Sequence, residues 1–276
     1  MRIVVWNCGK NLAGKKLKAL EDLQPDLAIV PECPSPDRLW GRQPLLAPVA
    51  MDWIGDDEHQ GLGVLAFNGY RVLRHRAYDP RLRWLLPVEV KGPSEFHLLA
   101  VWAASLPVAN AAGDDWNAQP LQAIERYREF LLASSSVVAG DFHHNVHGDR
   151  GAVAGQQTHL VAGLERLGLA SAYHVGRGEL HGKETAPTQY GRHRALDAPQ
   201  YHVDYCLLPL EWCSHLRQVE LGHFDAWIDS GLSDHVPLVV DVDLPSRQPA
   251  TAPRPDKAVR TDLEDLRRPA KRRRKD

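Results

Sequence analysis

Five apolar runs in this chain each end on, or begin from, a polar side chain, and that repeated junction limits the folds open to it. Arg2-Ile3-Val4-Val5-Trp6 runs into Asn7, and Asp26-Leu27-Ala28-Ile29-Val30 into Pro31-Glu32. Val137-Val138-Ala139 delivers Gly140-Asp141-Phe142-His143, and the stretch Tyr201 to Leu208 carries His202-Val203-Asp204-Tyr205. Ser233-Asp234-His235 leads through Val236-Pro237 into Leu238-Val239-Val240-Asp241-Val242. Short β-branched runs bounded by Gly, Pro or Asn read as strands, and a sheet presents charged groups at its strand ends. Each such residue alone is most simply a turn or a cap. Asn7, Glu32, Asp141, Asp204, Asp234 and His235 together are most economically explained by one composite site.

Between these runs the periodicity predicts an α/β chain. Leu12, Leu17, Leu20 and Leu23 recur at nearly helical spacing before Pro25, so the opening reads strand, helix, strand, and places Asn7 and Glu32 at one sheet edge. Gly61–Phe67, Tyr70–Leu73, Trp84–Val90 and Phe96–Ala104 read as a meander of short strands. Leu121, Ile124, Tyr127, Phe130 and Leu131 predict an amphipathic helix over 117–132, and a second helix is expected from about Leu160 to Leu167, stopped by Gly168. Leu169 to His174 reads as a strand; Gly182-Lys183-Glu184 and Pro187-Thr188 lie in a polar connection. Leu216–Gly222 and Val236–Val242 close the sheet.

Composition narrows the class. A chain of 276 residues, 43% hydrophobic and 25% charged, can bury one core of about 240 residues or two smaller ones. No run of about 18 apolar residues exists and no basic, then apolar leader opens the chain, so a soluble cytoplasmic protein without a membrane span is expected. Cys8, Cys33, Cys206 and Cys213 are too scattered for a disulfide framework or a paired zinc site, and are expected to be reduced, small buried side chains. From residue 245 the character changes. Pro- and polar-rich sequence ends in Lys271-Arg272-Arg273-Arg274-Lys275, and residues 245–276 hold eleven Lys or Arg against five Asp or Glu, which leaves residues 1–244 acidic. A disordered basic tail is expected there.

The six strand-end residues supply carboxylates, an amide and an imidazole, donors suited to Mg²⁺ or Mn²⁺ rather than zinc. His143, His144 and His147 do not form a helical zinc motif, because no Glu follows the first His and the segment reads as a loop.

The order W-N, P-E, G-D-F, H-V-D-Y and S-D-H resembles the endonuclease/exonuclease/phosphatase superfamily, the fold shared by deoxyribonuclease I, exonuclease III and inositol polyphosphate 5-phosphatases. The resemblance covers about residues 1–244 and is nearest to a bacterial branch that also has a Trp late in the central strand, here Trp102, and a Tyr-His pair, here Tyr173-His174. It implies a four-layer αββα sandwich of two mixed β-sheets with the site at one end. It implies further that Glu32 is the main metal ligand, supported by Asn7 and joined by Asp234. Asp141 would orient or deprotonate the attacking water, and His235, held by Asp204, would contact the scissile phosphate. Where the superfamily usually has Asn two residues after the Asp, this chain has His143, with Asn145 as its rival; Trp102 and Tyr173 are further candidate substrate contacts. The implied activity is that of a divalent-metal-dependent phosphodiesterase acting on nucleic acid, which the basic tail would help to hold. The alternatives are the same chemistry on a nucleotide, inositol phosphate or phospholipid head group, and a non-catalytic binding protein that kept the fold.

Overall fold

The computed structural model describes residues 1–40, 50–82, 84–103, 126–143, 156–191, 196 and 200–244. Asn145, His144, His147, the first part of the helix expected over 117–132, and the basic tail lie outside the described residues. The strands are β1 (Arg2–Val5), β2 (Leu27–Cys33), β3 (Ala50–Asp57), β4 (Gln60–Ala66), β5 (Arg71–Arg74), β6 (Leu85–Lys91) and β7 (Phe96–Trp102). They continue with β8 (Ser136–Asp141), β9 (Leu169–Ser171), β10 (Gln189–Tyr190), β11 (Gln200–Tyr201), β12 (Asp204–Pro209), β13 (Leu216–Leu221) and β14 (Leu238–Val242). The helices are α1 (Lys15–Asp22), α2 (Pro36–Trp40), α3 (Arg128–Leu132), α4 (Gln156–Arg166), α5 (Ala172–Arg177) and α6 (Leu210–Cys213), with a π-helical turn at Asp225–Asp229.

Two six-stranded sheets form, ordered β13-β14-β1-β2-β4-β3 and β5-β6-β7-β8-β12-β9. Each is mixed, with a single parallel pair at its centre, β1 beside β2 and β7 beside β8. Alternation along the strands sorts their side chains into layers. Ile3 and Val5 of β1 face a shared core with Leu98 and Ala100 of β7 and Val137 and Ala139 of β8, so the two sheets pack face to face. Val4 and Trp6 point the other way, under Leu17 and Leu20 of α1 and Trp227 of the π-helical turn. On the far side Leu99, Val101 and Val138 meet Phe130 and Leu131 of α3 and Leu160 and Leu164 of α4. The result is helices, sheet, sheet, helices, each fully buried Val, Leu or Ile contributing about 1.5–3 kcal/mol.

Several expectations change. The meander divides: β3 and β4 belong to the first sheet and β5, β6 and β7 to the second, so the chain crosses between layers at Phe67–Tyr70. Strand β3 had no clear period in the sequence because most of it is half-buried or exposed. Pro31 does not end β2, which runs to Cys33 through a bulge, with Glu32 at φ 58°. The stretch expected as one strand from Leu169 to His174 breaks at Ser171, and Tyr173 and His174 lie on α5. Cys8, Cys33 and Cys206 are buried thiols and Cys213 is half-buried.

Candidate active site

The sheet geometry gathers the polar strand ends at one rim. Because β1 and β2 are parallel, their exits lie side by side, and Asn7 Nδ2 donates to Glu32 Oε1 at 3.2 Å. The same nitrogen donates across to Asp141 Oδ2 at 2.9 Å, which joins the ends of the two sheets. Asp141 and Asp204 are opposed in register on antiparallel β8 and β12. Asp204 Oδ2 lies 2.8 Å from Nδ1 of His235, which precedes β14. One oxygen or nitrogen each from Asp141, Asp204 and His235 lie within 4.8 Å of one another, and all three residues are buried. Asn7, Glu32, Asp141, Asp204 and His235 are thus linked at one rim.

Local backbone geometry explains how these side chains are aimed. Gly140 sits at φ 149° opposite Val101 of β7, where an added Cβ would lie 1.8 Å from Val101 O; only glycine lets β8 approach β7 so closely just before Asp141. Glu32 and His143 both occupy the left-handed region, at φ 58° and 54°. Such strain in residues that carry a Cβ concentrates at functional positions. At Glu32 the bulge turns the carboxylate off the sheet. After Asn7, three successive positive-φ residues, Gly9, Lys10 and Asn11, form a tight exit, clamped by Lys16 Nζ on the carbonyls of Cys8, Gly9 and Lys10.

That exit fixes the amide of Asn7. Its Oδ1 accepts the Gly9 N–H at 3.0 Å, so the nitrogen faces the carboxylates. In this arrangement the Asn7 amide nitrogen serves Glu32 and Asp141 as a donor, while its oxygen accepts one backbone hydrogen bond and keeps a second lone pair. His143 also differs from a simple Asn replacement. Its N–H donates to Asp141 Oδ1 at 2.8 Å and its ring Nδ1 lies 3.4 Å from Asp141 Oδ2, so it backs Asp141 from two directions.

The charges are set by burial and by neighbours. Burial pushes the Glu32 carboxyl above its usual range; Asn7 and His235 pull it down, while Asp141 and Asp234 push it further up. Burial opposes ionisation of Asp141 too, but His143, His235 and Asn7 outweigh it and hold its pKa down at about 2. Burial disfavours the His235 imidazolium, yet the Asp204 carboxylate beside Nδ1, with Asp141 and Asp234 nearby, raises its pKa to about 10. His143 is raised against burial by Asp141. Burial raises the Asp204 carboxyl as well, and the pair together holds His235 toward its cationic form, with Nε2 left as its other donor. Glu32 and Asp234 are carboxylates with mutual repulsion, and Asp234 makes no side-chain hydrogen bond among the described residues. Their carboxylate oxygens are donors of the kind a hard divalent cation takes.

Two residues that hold the site had no assigned role in the sequence. Ser233 Oγ donates to Asn7 O at 2.7 Å and accepts the His235 N–H at 3.1 Å, tying β1 to the approach of β14. Its position in S-D-H was the available signal. Thr188 Oγ1 accepts the N–H groups of Val203 and Asp204, both at 3.0 Å, while its carbonyl accepts the Val236 N–H. A threonine in a polar connection carries no such signal. Two expected substrate contacts are enclosed instead. Trp102 pairs in register with Asp141, but its ring packs in the core against Trp84, with centroids 4.7 Å apart. Tyr173 is fully buried, donates its hydroxyl to Glu179 at 2.9 Å and packs on His202. A surface recess lined by Arg2, Asp26, Asp241 and Asp243 lies at the opposite end of β1 and includes none of these residues.

No sequence-family profile matches the chain, and no curated protein sequence matches it. Solved structures do. A 3′ phosphatase, NExo, from Neisseria bound to product DNA hairpin is 16% identical with a TM-score of 0.65, covering 88% of this chain and 100% of that one. An AP endonuclease from Archaeoglobus fulgidus is 15% identical with a TM-score of 0.66, again over 88% and 100%. An AP endonuclease from Leishmania major is 13% identical with a TM-score of 0.61, over 88% of each. At these identities the likeness is one of fold, and the fold is the one expected of the endonuclease/exonuclease/phosphatase superfamily.

Proposed function

We propose that this chain is a divalent-metal-dependent phosphodiesterase that hydrolyses nucleic acid. The observation that carries the reading is the junction of both sheets at one rim, where Asn7 bridges Glu32 and Asp141, and Asp141 lies beside the Asp204–His235 pair. The DNA hairpin in the NExo structure and the AP endonucleases of like fold favour nucleic acid over a small phosphoester. Glu32 and Asp234 would hold Mg²⁺ or Mn²⁺, which when bound neutralises charge on the phosphoryl oxygens as a Lewis acid. The side chains divide the remaining work. Asp141 stays ionised far below neutral pH, so it aligns the attacking water by accepting its hydrogen bond and is only a weak proton acceptor. His235, kept cationic by Asp204, donates from Nε2 to a phosphate oxygen as charge builds there, a contribution on the order of 10²–10³ in rate. His143 places a second imidazole beside Asp141 and takes the donor role of the usual Asn.

The test compares plasmid DNA, RNA, bis-p-nitrophenyl phosphate and soluble phosphomonoesters with Mg²⁺ or Mn²⁺, for the intact chain and for Glu32→Gln. Metal-dependent cleavage of polynucleotide and of the diester, lost in the variant, is expected. Turnover of monoesters alone would remove nucleic acid from the reading. Polynucleotide binding with no turnover under any divalent cation would make the protein a binder.

A further inference from the structure

Behind His202 the chain builds a second polar cluster that the phosphoester reading does not use. His174 on α5 and His181 and Glu184 in the following loop bring one ring nitrogen from each histidine and a carboxylate oxygen within 4.8 Å of one another. The rings of His174 and His181 stack with centroids 3.6 Å apart. His174 Nε2 lies 3.0 Å from Glu184 Oε1, with side-chain exposures of 8% and 4%.

We propose that His174, His181 and Glu184 form a binding site for a transition-metal ion, Zn²⁺ foremost, distinct from the hard-cation site at the rim. Two imidazoles and one carboxylate are a borderline-soft donor set that zinc takes up readily, and three protein ligands leave a fourth position for water. Ligand atoms in a tetrahedral site with bonds of about 2.0–2.1 Å stand roughly 3.4 Å apart, and the stacked His174 and His181 rings turn toward a common point to complete it.

Two further observations point to an ion rather than to a simple hydrogen-bonded cluster. Among the described residues, His181 Nδ1 is buried and has no hydrogen-bond partner, and nor has the buried Nε2 of neighbouring His202. Orphaned buried polar atoms of this kind call for a ligand. The ligand set already has orienting partners: His174 Nδ1 lies 2.8 Å from Ser171 Oγ, and Glu184 Oε1 accepts the Gly182 N–H at 2.9 Å. Such outer contacts are how a protein fixes the ring orientation of a metal-bound histidine. The ion would pin α5 to the 181–184 loop, whose continuation carries Thr188 to the backbone of Asp204 and Val236.

The test strips the full-length protein of metal and titrates it with Zn²⁺ by equilibrium dialysis and with Co²⁺ by visible absorption, in parallel with Glu32→Gln, His181→Gln and Glu184→Gln. Circular dichroism checks that each variant is folded. One tight equivalent with a tetrahedral Co²⁺ spectrum is expected in the intact chain and in Glu32→Gln. Both signals should weaken about 100-fold in His181→Gln and Glu184→Gln. Absence of a stoichiometric equivalent, binding that survives within about threefold in both loop variants, or binding lost in Glu32→Gln and kept in His181→Gln would each overturn the proposal. None of these outcomes depends on whether the rim cleaves a phosphoester.

Discussion

Asp141 depends on the residues to either side of it, and each dependence can be measured. On its N-terminal side Gly140 has no room for a methyl group, since Val101 O would sit 1.8 Å from the new carbon. Gly140→Ala must therefore push β8 from β7 at the point where the carboxylate is aimed. A loss of more than about 2 kcal/mol in urea unfolding is expected, together with a fall in turnover. Conserved stability would mean that the backbone gives way freely there. On the other side, Asp141→Asn keeps the shape but removes the charge that His143 and His235 hold in place. His235→Gln removes the donor itself. Each should lower diester turnover on the order of 10²–10⁴-fold, and because each also leaves a buried charged partner unpaired it should cost about 3–5 kcal/mol of stability, so kcat is compared at a temperature well below the melting transition of each variant. Ser233→Ala differs in kind, because it leaves the Asn7 carbonyl and the His235 N–H without their buried partner, and it should cost about 1–3 kcal/mol of stability.

At the scale of elements, the segment from α5 to β10 joins the site to the fold and carries a pH dependence of its own. His202 is almost fully enclosed, and burial, opposed in part by its bond to Ala186 O, lowers its pKa to about 4. His181 is lowered likewise, and Glu184 is held down at about 2. The signs agree. A histidine kept neutral in the folded chain gives stability that is complete above its unfolded pKa near 6.5 and is lost as pH falls through about 4. A depressed carboxyl gives stability that is lost lower still, from about 4.5 downward. Metal-stripped protein should therefore lose stability between about pH 6.5 and 4, with roughly 3 kcal/mol from His202 alone, and His202→Gln should flatten that slope in melts taken across the range. A slope unchanged in the variant would remove His202 as its cause. This segment is also where the sequence was least legible. The strands carrying Asn7, Glu32, Asp141, Asp204 and His235 were readable because β-branched runs and their punctuation are local signals. Trp102 and Tyr173 were read as substrate contacts because nothing local tells an enclosed aromatic ring from one that faces a ligand. Thr188, His181 and Glu184 act through partners supplied by distant strands and turns, and no period or motif announces such a meeting.

At the scale of the whole molecule, charge is distributed unevenly along the chain. Residues 1–244 are acidic and the rim gathers further carboxylates, so a polyanion approaching Glu32 and Asp234 meets repulsion unless a divalent cation or a separate basic element offsets it. The sequence supplies such an element in residues 245–276, with eleven Lys or Arg against five Asp or Glu. If that tail holds nucleic acid by its phosphates, its contribution comes from released counterions and must fall steeply with salt, whereas the chemistry at the rim depends on groups at fixed separation and does not need it. Removing residues 247–276 should then change turnover of bis-p-nitrophenyl phosphate by less than about twofold, because a small diester gains nothing from counterion release. The same truncation should weaken polynucleotide binding by on the order of tenfold or more at low salt, and reduce the slope of log affinity against log salt. The two chains should converge as salt rises past the point where the Debye length is about 8 Å. Filter binding of single- and double-stranded DNA across a salt series, with both chains side by side, reads the slope directly. Equal slopes would assign the basic tail to something other than holding substrate, and would require the acidic domain to bind its polyanion through the metal and His235 alone.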